Sequence, residues 1–293
     1  MKEKPFSKYQ ILANAVMIIW TLAIILPFIL LFMSSITDEN TLVANGYSFF
    51  PKKFSLASYS YIIKSGGQIL KAYGVSIGVT VVGTLLNVLL SALMAYPLSV
   101  KNLPGRNVMM FFVFFTMLFN GGIVPSYIMW TGTFHIKDTI FAQLLPNFLL
   151  SAWNVMMIRT YFTTSIPDGL YEAAEIDGAS QFTIFWKIVL PLGKPILVTM
   201  GTFAGLAYWN DWTNGLYYIV KNTGLYNVQN LLNQMVQNIQ FLTQSSNSNV
   251  TAAASTIPAT GIQMAIAFVA ILPIMLIFPS FQKYYAKGIA LGA

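Results

Sequence analysis

The chain of 293 residues is 56% hydrophobic and only 9% charged, with a mean hydropathy of +0.65, whereas soluble domains carry about 25% charged residues. It has no cysteine and a single histidine, His135, which excludes a disulfide framework, a thiolate metal site and a histidine-based catalytic centre. The net charge of +7 is scattered beside apolar runs and forms no dense basic tract, so it fits membrane-flanking loops and not nucleic acid.

Crossing about 30 Å of hydrocarbon takes about 20 mostly apolar residues. Six segments meet that requirement: 11–33, 72–98, 108–130, 139–160, 195–216 and 261–284. This predicts an all-α polytopic membrane protein. The first segment follows Lys2, Lys4 and Lys8; it is longer than a signal-peptide core and is read as a retained span, with Pro27 as a kink. The second carries Gly74, Gly78 and Gly83, a small-residue seam suited to close helix packing. The third is broken by Asn120-Gly121-Gly122 and Pro125, and the fourth by Pro146. Backbone freed by such breaks must be satisfied by protein or water, because lipid cannot do it. Asn87, Asn147 and Asn154 lie within the spans and suit helix–helix hydrogen bonds.

Ten of the sixteen Lys and Arg residues fall in the N-terminal, even-numbered-loop and C-terminal segments, and the other six in the longer intervening loops. The bias places both termini in the cytoplasm. The long outer segments are 34–71, with several aromatics, and 217–260, rich in Asn, Gln, Ser and Thr. Loops of that length are commonly functional, and contact with an extracytoplasmic partner is expected.

The most polar interruption is 161–194. Asp168, Glu172, Glu175 and Asp177 are four of the nine acids in the chain. One carboxylate at a bilayer centre costs roughly 2.5–3.5 kcal/mol on the mildest scale, so this stretch lies in water or against protein, on the cytoplasmic side. Ser165 as a cap, Pro167 in the first turn and Asp168 predict a helix over 166–177. Gly178 supplies a left-handed C-terminal residue. Ser180 then caps a second helix over 181–190, whose Phe182, Phe185, Trp186 and Val189 fall on one face by spacing.

Glu172-Ala173-Ala174, three residues, Gly178, nine residues, Ile188, one residue and Leu190-Pro191 resembles the EAA motif of binding-protein-dependent ABC importer permeases. The likeness extends over nearly the whole chain. Ala95-Tyr96-Pro97-Leu98-Ser99 with Pro104-Gly105-Arg106 is similar to carbohydrate permeases of the maltose-transporter kind. Phe119-Asn120-Gly121-Gly122 with Pro125 looks like their complex-oligosaccharide subgroup. Trp209-Asn210 and the tail Phe281-Gln282-Lys283-Tyr284 with Lys287-Gly288 also fit, although the sequence stops at Ala293, a few residues short of the basic tail of that family.

The resemblance implies one type I importer transmembrane domain over 1–293, in a bacterial plasma membrane. It implies a second permease subunit, usually a different chain, and two ATP-binding subunits that hold ATP and magnesium. It also implies a solute-binding protein outside and an oligosaccharide as cargo. Glu172, Ala173, Ala174, Asp177, Gly178, Ile188, Leu190 and Pro191 would form the coupling helix that docks on the ATPase, with Gln282, Lys283, Lys287 and Gly288 as a further ATPase contact. Asn120, Trp209, Asn210, Asp211 and Trp212 are the expected cargo-path residues, since aromatic faces with amides and carboxylates suit sugars. The chain has no Gly-x-x-x-x-Gly-Lys-Ser/Thr loop, so ATP chemistry belongs to a partner and the chain is not an enzyme. The alternatives are a permease of this type for a non-sugar solute, or a secondary transporter. The second needs charged residues inside the spans, where Asp211 is the only acid.

Overall fold

The computed structural model describes residues 8–64, 66–244 and 259–290. Among them the chain is helical; the one extended pairing is an isolated antiparallel bridge between Thr37 and Phe54. Two compact units alternate along the sequence. One comprises residues 1–67 and 232–274, the other 68–231 and 275–293.

In the first unit, α1 (Lys8–Ser35) is apolar on every side and exposed for nearly its whole length, as a helix facing hydrocarbon must be. Pro27 lies inside it. Two short helices follow, α2 (Glu39–Asn45) and α3 (Ala57–Lys64). They are tied down by side chains: Ser35 Oγ and Tyr59 OH lie 2.8 Å apart. The Glu39 carboxylate accepts from the N–H groups of Thr260 and Gly261 at 2.9 and 2.8 Å. That carboxylate caps the start of the last helix, α15 (Ala259–Ala290), which comes after α14 (Val228–Gln244) in the chain; exposed amides and the helix dipole favour a negative charge there.

In the second unit, α4 (Gly66–Ser99) is the longest helix. Of its predicted glycine seam only Gly83 packs closely: a Cβ there would sit 2.5 Å from the Tyr208 ring, while Gly74 and Gly78 face open space. The predicted break within the third segment is real. α5 (Arg106–Leu118) and α6 (Ile123–Ile128), which continues as a π turn over Met129–Thr133, meet at 109°. Asn120 Oδ1 accepts from the Gly122 N–H at 2.9 Å within that break.

The fourth segment is not one helix: α7 is Phe141–Leu144, and α8 begins only at Ala152 and ends at Ser165. Pro146 and Asn147, the latter with φ +68, take the intervening turn. Asn87 stitches this gap, donating to the Phe148 carbonyl at 2.6 Å and accepting from Asn154 at 2.7 Å. The freed backbone is thus met by protein.

Three helices, over 8–35, 66–99 and 260–277, are long and apolar enough to cross a membrane, or up to five if each bent pair counts as one. The main core joins Ala92, Ala95 and Leu98 of α4 with Val155, Ile158 and Phe162 of α8 and Ile184, Phe185 and Val189 further on. It lies directly beneath the polar interruption.

Candidate functional site

Ser165 does not cap a helix start; it is the last residue of α8. Ile166 precedes a proline and is pushed into extended conformation, φ −105 and ψ 115. Pro167 takes the N-cap position of α9 (Asp168–Ile176), with no side-chain cap. The Ser165–Asp168 capping box is therefore absent, and Asp168 pairs with Lys101 instead.

The end of α9 follows the sequence closely. Gly178 has φ +73. The Ala179 N–H reaches the Ala174 carbonyl at 2.9 Å, and the Gly178 N–H reaches Glu175 at 3.0 Å, the paired bonds of a Schellman turn. Ser180 Oγ then accepts from the Thr183 N–H at 3.2 Å and caps α10 (Gln181–Ile184).

The predicted apolar face of the second helix is split. A π turn over Phe185–Val189 leads into α11 (Leu190–Leu192). Ile184, Phe185 and Val189 are buried, Ile188 and Leu190 pack at the core edge, and Phe182 (66%) and Trp186 are exposed. The helix also runs through Pro191 before bending by 78° at Gly193 into α12 (Lys194–Asn210).

The element is thus held by one side and bare on the other. Ala174 is buried, while Glu172, Ala173, Asp177 and Gly178 are exposed. Around them stand Leu170, Ile176 (86% exposed), Phe182 and Trp186. Bare apolar side chains rimmed by acids mark an interaction surface, for protein or for membrane. The anchored side is tied to the end of α4. Tyr96 OH donates to Gln181 Oε1 at 2.6 Å, Gln181 Nε2 donates to Glu175 Oε1 at 2.9 Å, and the Tyr96 ring lies 5.4 Å from Phe185. The element is thus joined to the end of α4 by one short hydrogen-bonded chain.

The opposite end of this unit holds a buried amide cluster. Asp211, 5% exposed, ends α12. Its Oδ1 accepts from the Thr213 N–H, the Thr213 hydroxyl and the Asn214 N–H at 3.0, 2.7 and 3.3 Å, which starts α13 (Thr213–Tyr218). Asn227 donates to the Asp211 carbonyl at 2.6 Å, and Asn230 to the Trp212 carbonyl. Beyond it, Asp138 Oδ1 accepts from the N–H groups of Val220, Lys221 and Asn222 at 2.7, 2.7 and 3.2 Å. The Asp138 N–H donates back to Tyr218 at 3.0 Å, so two loops are clamped together.

Residues 72–291 match the family model of the binding-protein-dependent transport system inner membrane component. The chain belongs to that family. It is 36% identical to protein LplC of Bacillus subtilis, over 92% of this chain and 88% of that one. It is 35% identical to the polygalacturonan/rhamnogalacturonan transport system permease protein YtcP of the same organism, over 97% of both. Among solved structures it is similar to a bacterial ABC transporter involved in the import of the acidic polysaccharide alginate. The TM-score is 0.80 at 26% identity, covering 96% of this chain and 100% of that one. The chain is therefore a membrane-embedded permease subunit, and its relatives are transport proteins and not enzymes.

The residues singled out for the permease's cargo path do not share one environment. Trp209 and Asp211 are buried, whereas Asn120, Asn210 and Trp212 are exposed. The backbone of α15 runs past Gln282, Lys283, Lys287 and Gly288, whose side chains lie outside the described residues. No group of His, Cys, Asp and Glu among the described residues could hold a metal ion. Sequence reasoning missed the Tyr96–Gln181–Glu175 chain and the Asp138 clamp. Both join residues some 80 positions apart, and the one signal was Tyr96 inside Ala95–Ser99.

The clamp carries a pH signature. The Lys221 N–H foremost, helped by those of Val220 and Asn222 and by the Lys137 ammonium nearby, holds the Asp138 carboxyl below its ordinary 3.8 against the opposing cost of desolvation. A depressed folded pKa gives stability that is present above the unfolded value and lost as pH falls through the folded one. Protection of the Val220–Asn222 amides against hydrogen exchange, corrected for intrinsic rates, is therefore expected to drop only below 3.8. In Asp138→Asn that acid step should vanish and protection at neutral pH should be lower.

Proposed function

We propose that this permease is a six-span subunit, with both termini in the cytoplasm, that moves an oligosaccharide across a bacterial plasma membrane. In this reading α7 and α8 together make the fourth span, and the C-terminal residues Gln282, Lys283, Lys287 and Gly288 add to the ATPase contact. A second permease subunit completes the path. An extracytoplasmic binding protein delivers the cargo to the outer loops, 217–260 among them. Of two ATP-binding subunits, which carry ATP and magnesium, one docks on Glu172, Ala173, Asp177, Gly178 and the apolar side chains around them. Ala174, Ile188 and Leu190 hold that surface to the core, and the exposed Pro191 adds to the docking face. Closure of the ATP-binding subunits moves the 168–192 element and, through Gln181 and Tyr96, the end of α4.

The observation that carries this reading is the 168–192 element itself, anchored by one side and apolar on its exposed other side. The named cargoes of the similar proteins, pectic polysaccharides and alginate, support a carbohydrate. Asn120, Asn210 and Trp212 then offer exposed amide and indole groups to the path, while Trp209 and Asp211 position them.

Affinity purification of the tagged permease from its native membrane tests the assignment. A second permease, an ATP-binding subunit and a carbohydrate-loaded binding protein should co-purify. Recovery of the chain without any ATP-binding subunit, at full membrane level, contradicts it.

A further inference from the structure

The Asp138 clamp also displays a cation. Lys137 Nζ donates to Tyr127 OH at 3.1 Å and lies 5.8 Å from the centre of that ring. Tyr127 is stacked on Tyr218, centroids 5.8 Å apart and 11° from parallel. The loop is fixed on both sides of Lys137, because His135 and Asp138 adopt left-handed backbone, φ 51 and 58. Non-glycine residues rarely hold that conformation, and it persists only where surroundings impose it. The imposition here is visible: three N–H groups on Asp138 Oδ1 and the Asp138 N–H on Tyr218.

Exposed lysines ordinarily sweep through many rotamers. This one is exposed yet held on an aromatic shelf. It also lacks an ion-pair partner: among the described residues the ion pairs are Lys53–Asp38 and Lys101–Asp168. The one carboxylate nearby, Asp138, has its Oδ1 engaged by three backbone N–H groups. The half-buried Tyr127 ring, backed by the buried Tyr218 and carrying an exposed ammonium at its hydroxyl, fits a ligand that has an apolar face and a carboxylate. A sugar ring packs its C–H face on aromatics, and a carboxylate accepts the charge-assisted bonds that the ammonium has left to give.

We propose that the Tyr127–Lys137 shelf binds a carboxylate of the incoming glycan, so that the cargo is an acidic, uronate-containing oligosaccharide. The proposal rests on the oligosaccharide reading above.

The test uses the complete importer in proteoliposomes, with labelled oligogalacturonide and its methyl ester as probes. The wild type should import the acidic form. Lys137→Gln should lower its kcat/KM about tenfold or more, through KM, as loss of a charge-assisted bond does. Lys137→Arg should restore most of it, and docking of the loaded binding protein should be unchanged in both variants. Unchanged acidic uptake in Lys137→Gln overturns the proposal. So does a loss matched by weaker docking of the binding protein, which makes Lys137 a protein contact. A wild type that imports only the uncharged ester overturns this inference alone; one that imports neither probe nor any other oligosaccharide removes the underlying reading as well.

Discussion

Replacing Gly178 with valine is expected to cut ATP-driven uptake about tenfold or more while the chain still reaches the membrane. The residue sits at φ +73 with nothing within 4 Å of where a Cβ would be. The penalty is therefore conformational and not steric crowding. Left-handed backbone costs an ordinary residue roughly 1–2 kcal/mol, and a β-branched one more. That is enough to shift a marginal turn by tenfold. Opening the turn frees Ala179 from Ala174 and moves Ile176 and Phe182 apart, which takes the exposed surface to pieces without touching the core. Gly178→Asn should be mild, because Asn tolerates this region. Gly178→Asp keeps the turn accessible but adds a charge at the docking surface, so its uptake should fall with the fold intact. Normal uptake by Gly178→Val at normal membrane level removes the turn from the account.

Gly83→Leu is expected to destabilise the protein as a whole. A Cβ at this position lies 2.5 Å from Tyr208 Cζ. The ring cannot give way: it is 2% exposed, its hydroxyl donates to the Leu144 carbonyl at 2.9 Å, and it packs 5.3 Å from Phe148. Overpacking of this kind costs roughly 1–3 kcal/mol. It should appear as a lower melting temperature of the detergent-solubilised protein. Gly74→Leu and Gly78→Leu, which face open space in this chain, are the controls and should melt like the wild type. A Gly83→Leu protein that melts with them contradicts the close approach of α4 and α12.

The legible parts of the structure were those written in local chemistry. Gly178 and Ser180 announce a turn and a cap within three residues of each other, and both form. Pro146 announces an interruption, and the chain breaks there. The facing of the second helix was not legible in apolar spacing: tertiary packing buries Ile184, Phe185 and Val189 and leaves Phe182 and Trp186, one stripe over, exposed. Ser165 was misassigned because two signals competed, and the proline's effect on Ile166 outweighed the capping pattern.

Asp211 shows the harder limit. An acid beside two tryptophans near a membrane end reads as a cargo contact, yet its carboxylate holds Thr213 and Asn214. Its spacing to Thr213 was a turn signal of the same rank as Ser180–Thr183. Tyr96, Gln181 and Asp138 act on partners far along the chain, and such pairings arise only from the fold.

The central claim is that the exposed side of the 168–192 element meets an ATP-binding subunit. The chain has no cysteine, so Ala173→Cys, at an exposed position, provides a single reactive thiol. In the assembled importer it should crosslink to the ATP-binding subunit, with a yield that changes when ATP is added. An active importer in which that thiol crosslinks to no ATP-binding subunit, or reacts with a membrane-impermeant maleimide from outside intact cells, contradicts the account.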